Sequence, residues 1–162
     1  GASERMGQPK ATMLYRGLPL VAHVDLALRA RCASVLMLGS ESLPDAAGVD
    51  GPLAGILAAL DYDADVWWVI AACDMPLINE AALDWLLGHQ GEAIDAVIPR
   101  DAEGHLQPLL ALYHGRIGPP LRGLTAPRQA AQLERVATPL IPEALQQSWV
   151  NVNTPQAFRS LP

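Results

Sequence analysis

Apolar runs alternate with amphipathic stretches along this chain, and this pattern predicts strands that alternate with helices. The longer apolar runs contain few polar residues, which is typical of strands covered on both faces of a sheet. The predicted strands are residues 34–38, 66–72, 95–99, 109–113 and one near residue 136.

Helices are predicted between these strands. Pro19 can open one that runs to about residue 30, and Pro52 can open another over residues 53–60. Asn79 is a suitable N-cap for a helix over residues 80–87. A helix over residues 128–135 and a short one after residue 154 complete the set. The alternation predicts one α/β domain over residues 1–162, a three-layer α/β/α arrangement of Rossmann-like type with a mostly parallel sheet.

Composition narrows the class of protein. Of the 162 residues, 51% are hydrophobic and 17% are charged, so a folded chain with a sizeable core is expected. The formal net charge of −6 argues against a nucleic-acid partner. No apolar run approaches the roughly 18 residues of a membrane span. Cys32 and Cys73 do not form a CxxC pair, which favours a reducing cytoplasm. These features predict a cytoplasmic enzyme or small-molecule binder.

Asp74 is the strongest single candidate for chemistry. It follows the most apolar predicted strand directly, and Pro76 ends that strand just beyond it. In open α/β sheets, ligands bind outside the carboxyl ends of the strands. One carboxylate together with substrate phosphates can hold Mg²⁺ there. The alternative is a turn-forming or helix-capping aspartate, but Asn79 already serves the next helix as a cap.

The first ten residues combine glycines with two cationic side chains, Arg5 and Lys10. Lys10 is the only lysine among eleven basic residues. Such a loop can bring backbone N–H groups and positive charge to a polyphosphate. The stretch lacks the ending of a Walker A motif. The alternative is an N-terminal tail with a solvated lysine.

Two further polar segments follow predicted elements. Gly51-Pro-Leu-Ala-Gly55 forms a turn into a helix, where N–H groups favour an anion, although helix initiation alone would explain it. Asn151 and Asn153 would lie on one face, and their amides could hold a hydroxyl, a phosphate or a pterin edge, or satisfy backbone groups. The four histidines show no metal-ligand spacing.

Five stretches, taken in order, resemble the molybdenum cofactor guanylyltransferase family of nucleotidyltransferases. They are Gly-Ala-Ser-Glu-Arg-Met-Gly-Gln-Pro-Lys (1–10), Gly-Pro-Leu-Ala-Gly (51–55), Cys-Asp-Met-Pro (73–76), Leu-Gln-Pro-Leu (106–109) and Asn-Val-Asn-Thr-Pro (151–155). The first is shared with many nucleotidyltransferases, whereas the second and the last are more specific to the guanylyltransferases.

The resemblance implies transfer of GMP from GTP to the phosphate of molybdenum-bound molybdopterin, with release of pyrophosphate. It assigns contacts to the GTP phosphates to Gly1, Arg5 and Lys10, and Mg²⁺ to Asp74. It places Asp45 near the guanine or ribose and Gly51 and Gly55 in the nucleotide pocket. It assigns contacts with molybdopterin to Asn151, Asn153 and Gln107. The implied protein partners are ones that deliver molybdopterin or act as molybdoenzyme chaperones.

The sequence departs from that family in two places. The family begins with a central strand ending in Leu-Ala-Gly-Gly, of which Gly1 matches the last residue, so a strand is expected before Gly1. Residues 40–44 also replace a longer segment that contributes to the base pocket. Two alternatives therefore stay open: a cytidylyl- or sugar-nucleotidyltransferase with the same phosphate loop, and a nucleotide-binding module without catalysis.

Overall fold

The computed structural model describes residues 13–41 and 43–162. Its strands are β1 (Leu14–Tyr15), β2 (Leu18–Pro19), β3 (Trp67–Ala71), β4 (Ala96–Val97), β5 (Leu110–His114) and β6 (Val136–Ala137). Its α-helices are α1 (Leu20–Arg29), α2 (Pro52–Tyr62), α3 (Glu80–Leu87), α4 (Gly118–Leu121) and α5 (Pro155–Arg159). Shorter 3₁₀ helices cover Gly115–Ile117, Pro127–Gln132 and Glu143–Trp149.

The predicted helix starts follow from local chemistry. Asn79 caps α3 because its Oδ1 accepts a hydrogen bond from Ala82 N at 2.9 Å. Pro52 occupies the first turn of α2, where its missing N–H costs nothing. The helix expected over residues 128–135 is instead a 3₁₀ helix at Pro127–Gln132. The other four predicted helices are confirmed as α1, α2, α3 and α5, although some of their ends differ from the prediction.

The main sheet has four strands in the order β3-β5-β4-β6. The α/β class is confirmed, but the expectation of a mostly parallel sheet is wrong for the described residues. There β5 runs antiparallel to both β3 and β4, and only β4 and β6 are parallel. The reason is the tight turn between β4 and β5: Arg100 and Leu106 form an antiparallel bridge, so the chain reverses within residues 101–105, which are too few for a crossover to a parallel strand.

Residues 34–38 form no strand, contrary to the prediction. In the described part of the chain, β3 pairs with β5 alone, so no ladder forms along its other side. A cavity of about 580 Å³ lies there, lined by β3 and by residues 33–38 among others. An apolar run becomes a strand only where a second backbone supplies hydrogen bonds, and none of the described strands does so here.

Two hydrophobic clusters cover the two faces of the sheet. On one face α2 packs through Leu53, Ile56 and Leu57 against residues that include Tyr113 of β5. On the other face α1 and α3 pack against residues that include Leu112 of β5. Because neighbouring residues of β5 point to opposite faces, both sides of this strand are buried. The sheet is therefore a fixed base for the loops at its ends.

No described helix combines the length and the apolar character that a membrane crossing requires.

Candidate functional site

Four of the predicted site residues lie at one end of the sheet: Asp74, Gln107, Asn151 and Asn153. We call it the carboxyl edge, the end at which β3, β4 and β6 finish and β5 begins. Ala72 N, just after β3, donates to Leu109 O, just before β5, at 2.8 Å. Gln107 N donates to Pro99 O at 2.8 Å, which ties the segment after β4 to the same end. The antiparallel course of β5 thus brings residues 106–109 to the loop that carries Asp74.

Asp74 and the Asn151 segment meet at this edge. Val152 N donates to Asp74 O at 2.8 Å, so the residues on either side of Val152 flank the aspartate. Trp149, buried at 4% exposure, anchors the segment because its Nε1 donates to Leu110 O at 3.0 Å. Asp74 is half-buried and lies well before the N-terminus of α3, which Asn79 caps. Asp74 therefore lies just beyond the carboxyl end of β3 and next to the Asn151 segment, and its role as a metal ligand stays a prediction.

Asn151 carries an acceptor in need of a donor. Its Oδ1 is buried and has no hydrogen-bond partner among the described residues. A buried acceptor left without a donor costs about 1–3 kcal/mol, so such atoms are usually satisfied by a ligand, an ion or water. Asn153 is exposed on the same segment, and its N donates to Asn151 O at 3.2 Å.

Gln107 lies at the carboxyl edge as well. Its Nε2 donates to Asp101 Oδ2 at 2.9 Å. Both side chains line a cavity of about 280 Å³ together with Trp149 and Val150. Asn151 follows Val150 in the chain but does not itself line this cavity. Gln107 and Asn151, predicted together from sequence, both lie at the carboxyl edge.

Asp45, Gly51 and Gly55 form a second group at the start of α2. Ala46 N donates to Ala54 O at 3.2 Å, which holds the loop against the first turn of the helix. A Cβ placed on Gly55 would lie 3.5 Å from Asp45 Oδ1, so carboxylate and helix are in close contact. Gly51 has a φ of +70° and precedes Pro52. This left-handed conformation favours glycine, so Gly51 is explained by the turn it makes.

The predicted phosphate-contacting residues Gly1, Arg5 and Lys10 lie outside the described residues. Their assignment stays a prediction.

Oxygen ligands for a divalent cation exist at the carboxyl edge. Carboxylate and amide oxygens are the ligands that Mg²⁺ prefers. The Asp74 loop supplies a carboxylate, and the Asn151 segment bonded to it supplies an amide oxygen, Oδ1, with no partner among the described residues. The chemistry of this pair therefore fits the cation that the sequence assigned to Asp74.

Sequence reasoning missed a second group of possible ligands. Asp101, Glu103 and His105 bring their ligand atoms within 4.8 Å of one another in the turn between β4 and β5. The pKa of the Asp101 carboxyl lies below its usual range: partial burial acts to raise it, but hydrogen bonds from His105 N and the Gln107 amide outweigh that effect. The Asp-x-x-Gly pattern at residues 101–104 was the available signal, since it is typical of a tight turn closed by an aspartate.

A family model described as "MobA-like NTP transferase domain" matches residues 1–144. A relative from Bacillus cereus, named "Probable molybdenum cofactor guanylyltransferase", is 31% identical over 133 residues. That match takes in 72% of this chain and 66% of the relative, just under two thirds of its length.

Solved structures share the fold. Molybdopterin-guanine dinucleotide biosynthesis protein A from Archaeoglobus fulgidus superimposes with a TM-score of 0.76 at 24% identity, over 98% of this chain and 91% of that one. The 2-C-methyl-D-erythritol 4-phosphate cytidylyltransferase from Thermus thermophilus gives a TM-score of 0.66 at 16% identity, over 93% and 91%. Identities this low establish the fold alone.

Proposed function

The chain belongs to the MobA-like NTP transferase domain family, and from this premise we propose that it transfers GMP from GTP to the phosphate of molybdenum-bound molybdopterin. Support for the guanylyl reaction comes from the 31% identical relative that bears this activity in its name. The observation that carries the proposal is the contact between the Asp74 loop and the Asn151 segment, joined by the 2.8 Å bond from Val152 N to Asp74 O.

The reaction is an in-line displacement at the α-phosphorus of GTP. An oxygen of the molybdopterin phosphate forms the new P–O bond, the bond from the α-phosphorus to the bridging oxygen breaks, and pyrophosphate leaves with that oxygen. Such chemistry needs no covalent enzyme intermediate, because positioning and charge neutralisation supply the catalysis. In this scheme Gly1, Arg5 and Lys10 contact the GTP phosphates, and the two cationic side chains, Arg5 and Lys10, neutralise their charge.

Asp74 would hold a magnesium ion, with Asn151 Oδ1 as a nearby oxygen. When bound, the ion neutralises negative charge on the phosphates. Gly51, Gly55 and Asp45 would line the nucleotide side, and Asn151, Asn153 and Gln107 the molybdopterin side. We place the reaction in the cytoplasm, where thiols such as those of Cys32 and Cys73, which form no disulfide, stay reduced. Proteins that deliver molybdopterin or act as molybdoenzyme chaperones are the proposed partners.

The Asp74→Asn variant tests the role of the carboxylate. Removing one well-placed charge contact to the transition state costs about 10²–10³-fold in kcat. We expect at least that loss of pyrophosphate release from GTP and molybdenum-loaded molybdopterin, with an unchanged melting temperature. The matched control is Asp61→Asn, since Asp61 is an exposed partner of Arg122. Turnover by Asp74→Asn at the wild-type rate would refute the role.

A cytidylyl- or sugar-nucleotidyltransferase is the second candidate, because the Thermus cytidylyltransferase shares the fold. Thermal-shift titrations with GTP and CTP in the presence of magnesium separate the two. We expect stabilisation by GTP at lower concentration than by CTP; preference for CTP would favour the second candidate. GTP binding without pyrophosphate release would instead indicate a binding module without catalysis.

A further inference from the structure

The turn between β4 and β5 is fixed by its own hydrogen bonds. Asp101 N donates to His105 O at 3.0 Å, and Gly104 N donates to Asp101 O at 3.0 Å. Gly104 adopts a φ of +86°, which a side chain would strain. The backbone bond from Gln107 N to Pro99 O closes the base of the turn. The Asp101 side chain is therefore presented from a rigid position.

The Asp101 carboxylate determines which way the Gln107 amide faces. Oδ1 of Asp101 accepts from Glu103 N at 3.1 Å and from His105 N at 2.8 Å. Oδ2 accepts from Gln107 Nε2 at 2.9 Å. An ionised carboxylate has no hydrogen to donate, so the amide must turn its N–H₂ group toward Asp101. The Gln107 oxygen, Oε1, is then kept as an acceptor with no partner among residues 13–41 and 43–162.

The cavity wall consequently carries acceptors and negative charge. Gln107 Oε1 belongs to a side chain that lines the cavity with Trp149 and Val150. Asp101 adds a carboxylate to the same wall. Such a wall repels a phosphate, which offers only acceptors and negative charge. It suits a ligand with several N–H donors.

We propose that Asp101 is a positioning residue that holds the Gln107 amide with its oxygen available to the N–H donors of a pterin. This inference rests on the proposed function, and it orients the second substrate. The aminopyrimidinone end of molybdopterin, with its 2-amino group, lies at the Gln107 oxygen. The phosphate end points away from this wall.

The Asp101→Asn variant reverses the polarity of the wall. Its Oδ1 can still accept the two backbone N–H bonds, but its new Nδ2–H₂ group faces Gln107. The Gln107 amide must then rotate so that Oε1 accepts, which turns Nε2 to where the acceptor was. Two stable probes read out the change: 6-hydroxymethylpterin, which carries the 2-amino group, and 6-hydroxymethyllumazine, which has an oxo group instead.

We expect the wild-type full chain to bind the pterin about tenfold more tightly than the lumazine, as measured by pteridine fluorescence; a good hydrogen bond is worth about this factor. Asp101→Asn should lose that preference and should raise KM for molybdopterin without changing KM for GTP. Asp61→Asn is the control that keeps it. If Asp101→Asn has a lower melting temperature than the wild type, Gln107→Met provides a second test. This variant removes the amide and should also lose the preference for the pterin.

Equal binding of both probes by the wild type, or a preference kept by Asp101→Asn and by Gln107→Met, would overturn the proposal. GMP transfer by a wild type without pterin preference would contradict the positioning role alone. A pterin preference without GMP transfer would contradict the proposed function alone.

Discussion

The two sides of strand β3 differ in how they are built. On one side β5 pairs along the whole strand, and Leu112 of β5 is 0% exposed. On the other side no described strand pairs, and Met37 in the facing segment is 55% exposed. Both sides are apolar in sequence. Hydrophobicity alone therefore does not make a segment a strand; a hydrogen-bonded neighbour is also needed.

The predicted site residues also divide between the two sides of β3. Asp74, Gln107 and Asn151 belong to the β5 side, where backbone bonds between distant segments fix their positions. Asp45 lies beyond the unpaired segment, and its loop is held at the first turn of α2. The β5 side consequently presents a preformed wall. We expect substitutions there to be felt more strongly than substitutions on the other side.

Truncation of one buried and one exposed apolar side chain should give the largest contrast in stability. Leu112→Ala leaves a cavity between the sheet and the helices and should lower the free energy of unfolding by about 2–5 kcal/mol. Met37→Ala removes a side chain that is 55% exposed and should cost under about 1 kcal/mol. Urea unfolding followed by circular dichroism measures both. Equal losses would show that the two sides are buried alike.

Asp95 should make stability depend on pH at the opposite end of the sheet. Hydrogen bonds from Arg135, and then those from Arg116, outweigh burial and lower the pKa of Asp95. A carboxyl with a lower pKa when folded stabilises the protein above its unfolded pKa of about 3.9 and loses that contribution as pH falls through the folded value.

Asp95→Asn should therefore cost about 1–3 kcal/mol at pH 7, since these bonds join charged groups. The difference from wild type should shrink below about pH 4. Urea unfolding of both proteins between about pH 7 and pH 2 measures this difference in the free energy of unfolding. A difference that stays constant down to pH 2 would contradict the ionic origin.

Alanine substitutions at the two glycines near the start of α2, Gly51 and Gly55, should change the free energy of unfolding in opposite directions. Gly51→Ala places a side chain at a φ of +70° and should destabilise the protein by about 1 kcal/mol. Gly55→Ala lies within the helix, where its Cβ would make ordinary contacts at 3.5 Å with Asp45 and Leu38. It should stabilise by up to about 1 kcal/mol.

GTP affinity then tests whether Gly55 lines the nucleotide pocket. If it does, Gly55→Ala should melt later yet bind GTP more weakly in calorimetric titration. Unchanged GTP affinity in this variant would remove Gly55 from the pocket.

Local signals in the sequence predicted the elements that local chemistry controls. The α3 boundaries follow from the Asn79 cap, and the place of Asp74 follows from the apolar run before it. The direction of β5 is set by the tight turn at residues 100–105. The pattern of apolar runs predicts strands but does not give their relative direction. The absence of a strand at residues 34–38 reflects pairing, because no strand among residues 13–41 and 43–162 supplies hydrogen bonds to this segment. The bond from Asp101 to Gln107 depends on side-chain geometry in the turn, so no periodicity reveals it.

The central claim is that the chain transfers GMP to molybdopterin. The direct measurement incubates the full chain with magnesium, molybdenum-loaded molybdopterin and either GTP or CTP, each labelled at the α-phosphorus, and follows the label. We predict label in a pterin dinucleotide with an equal amount of released pyrophosphate, from GTP only, and a rate lower by a factor of at least about 10² with Asp74→Asn. Label transferred from CTP in preference to GTP, or label that stays in GTP, would contradict the claim.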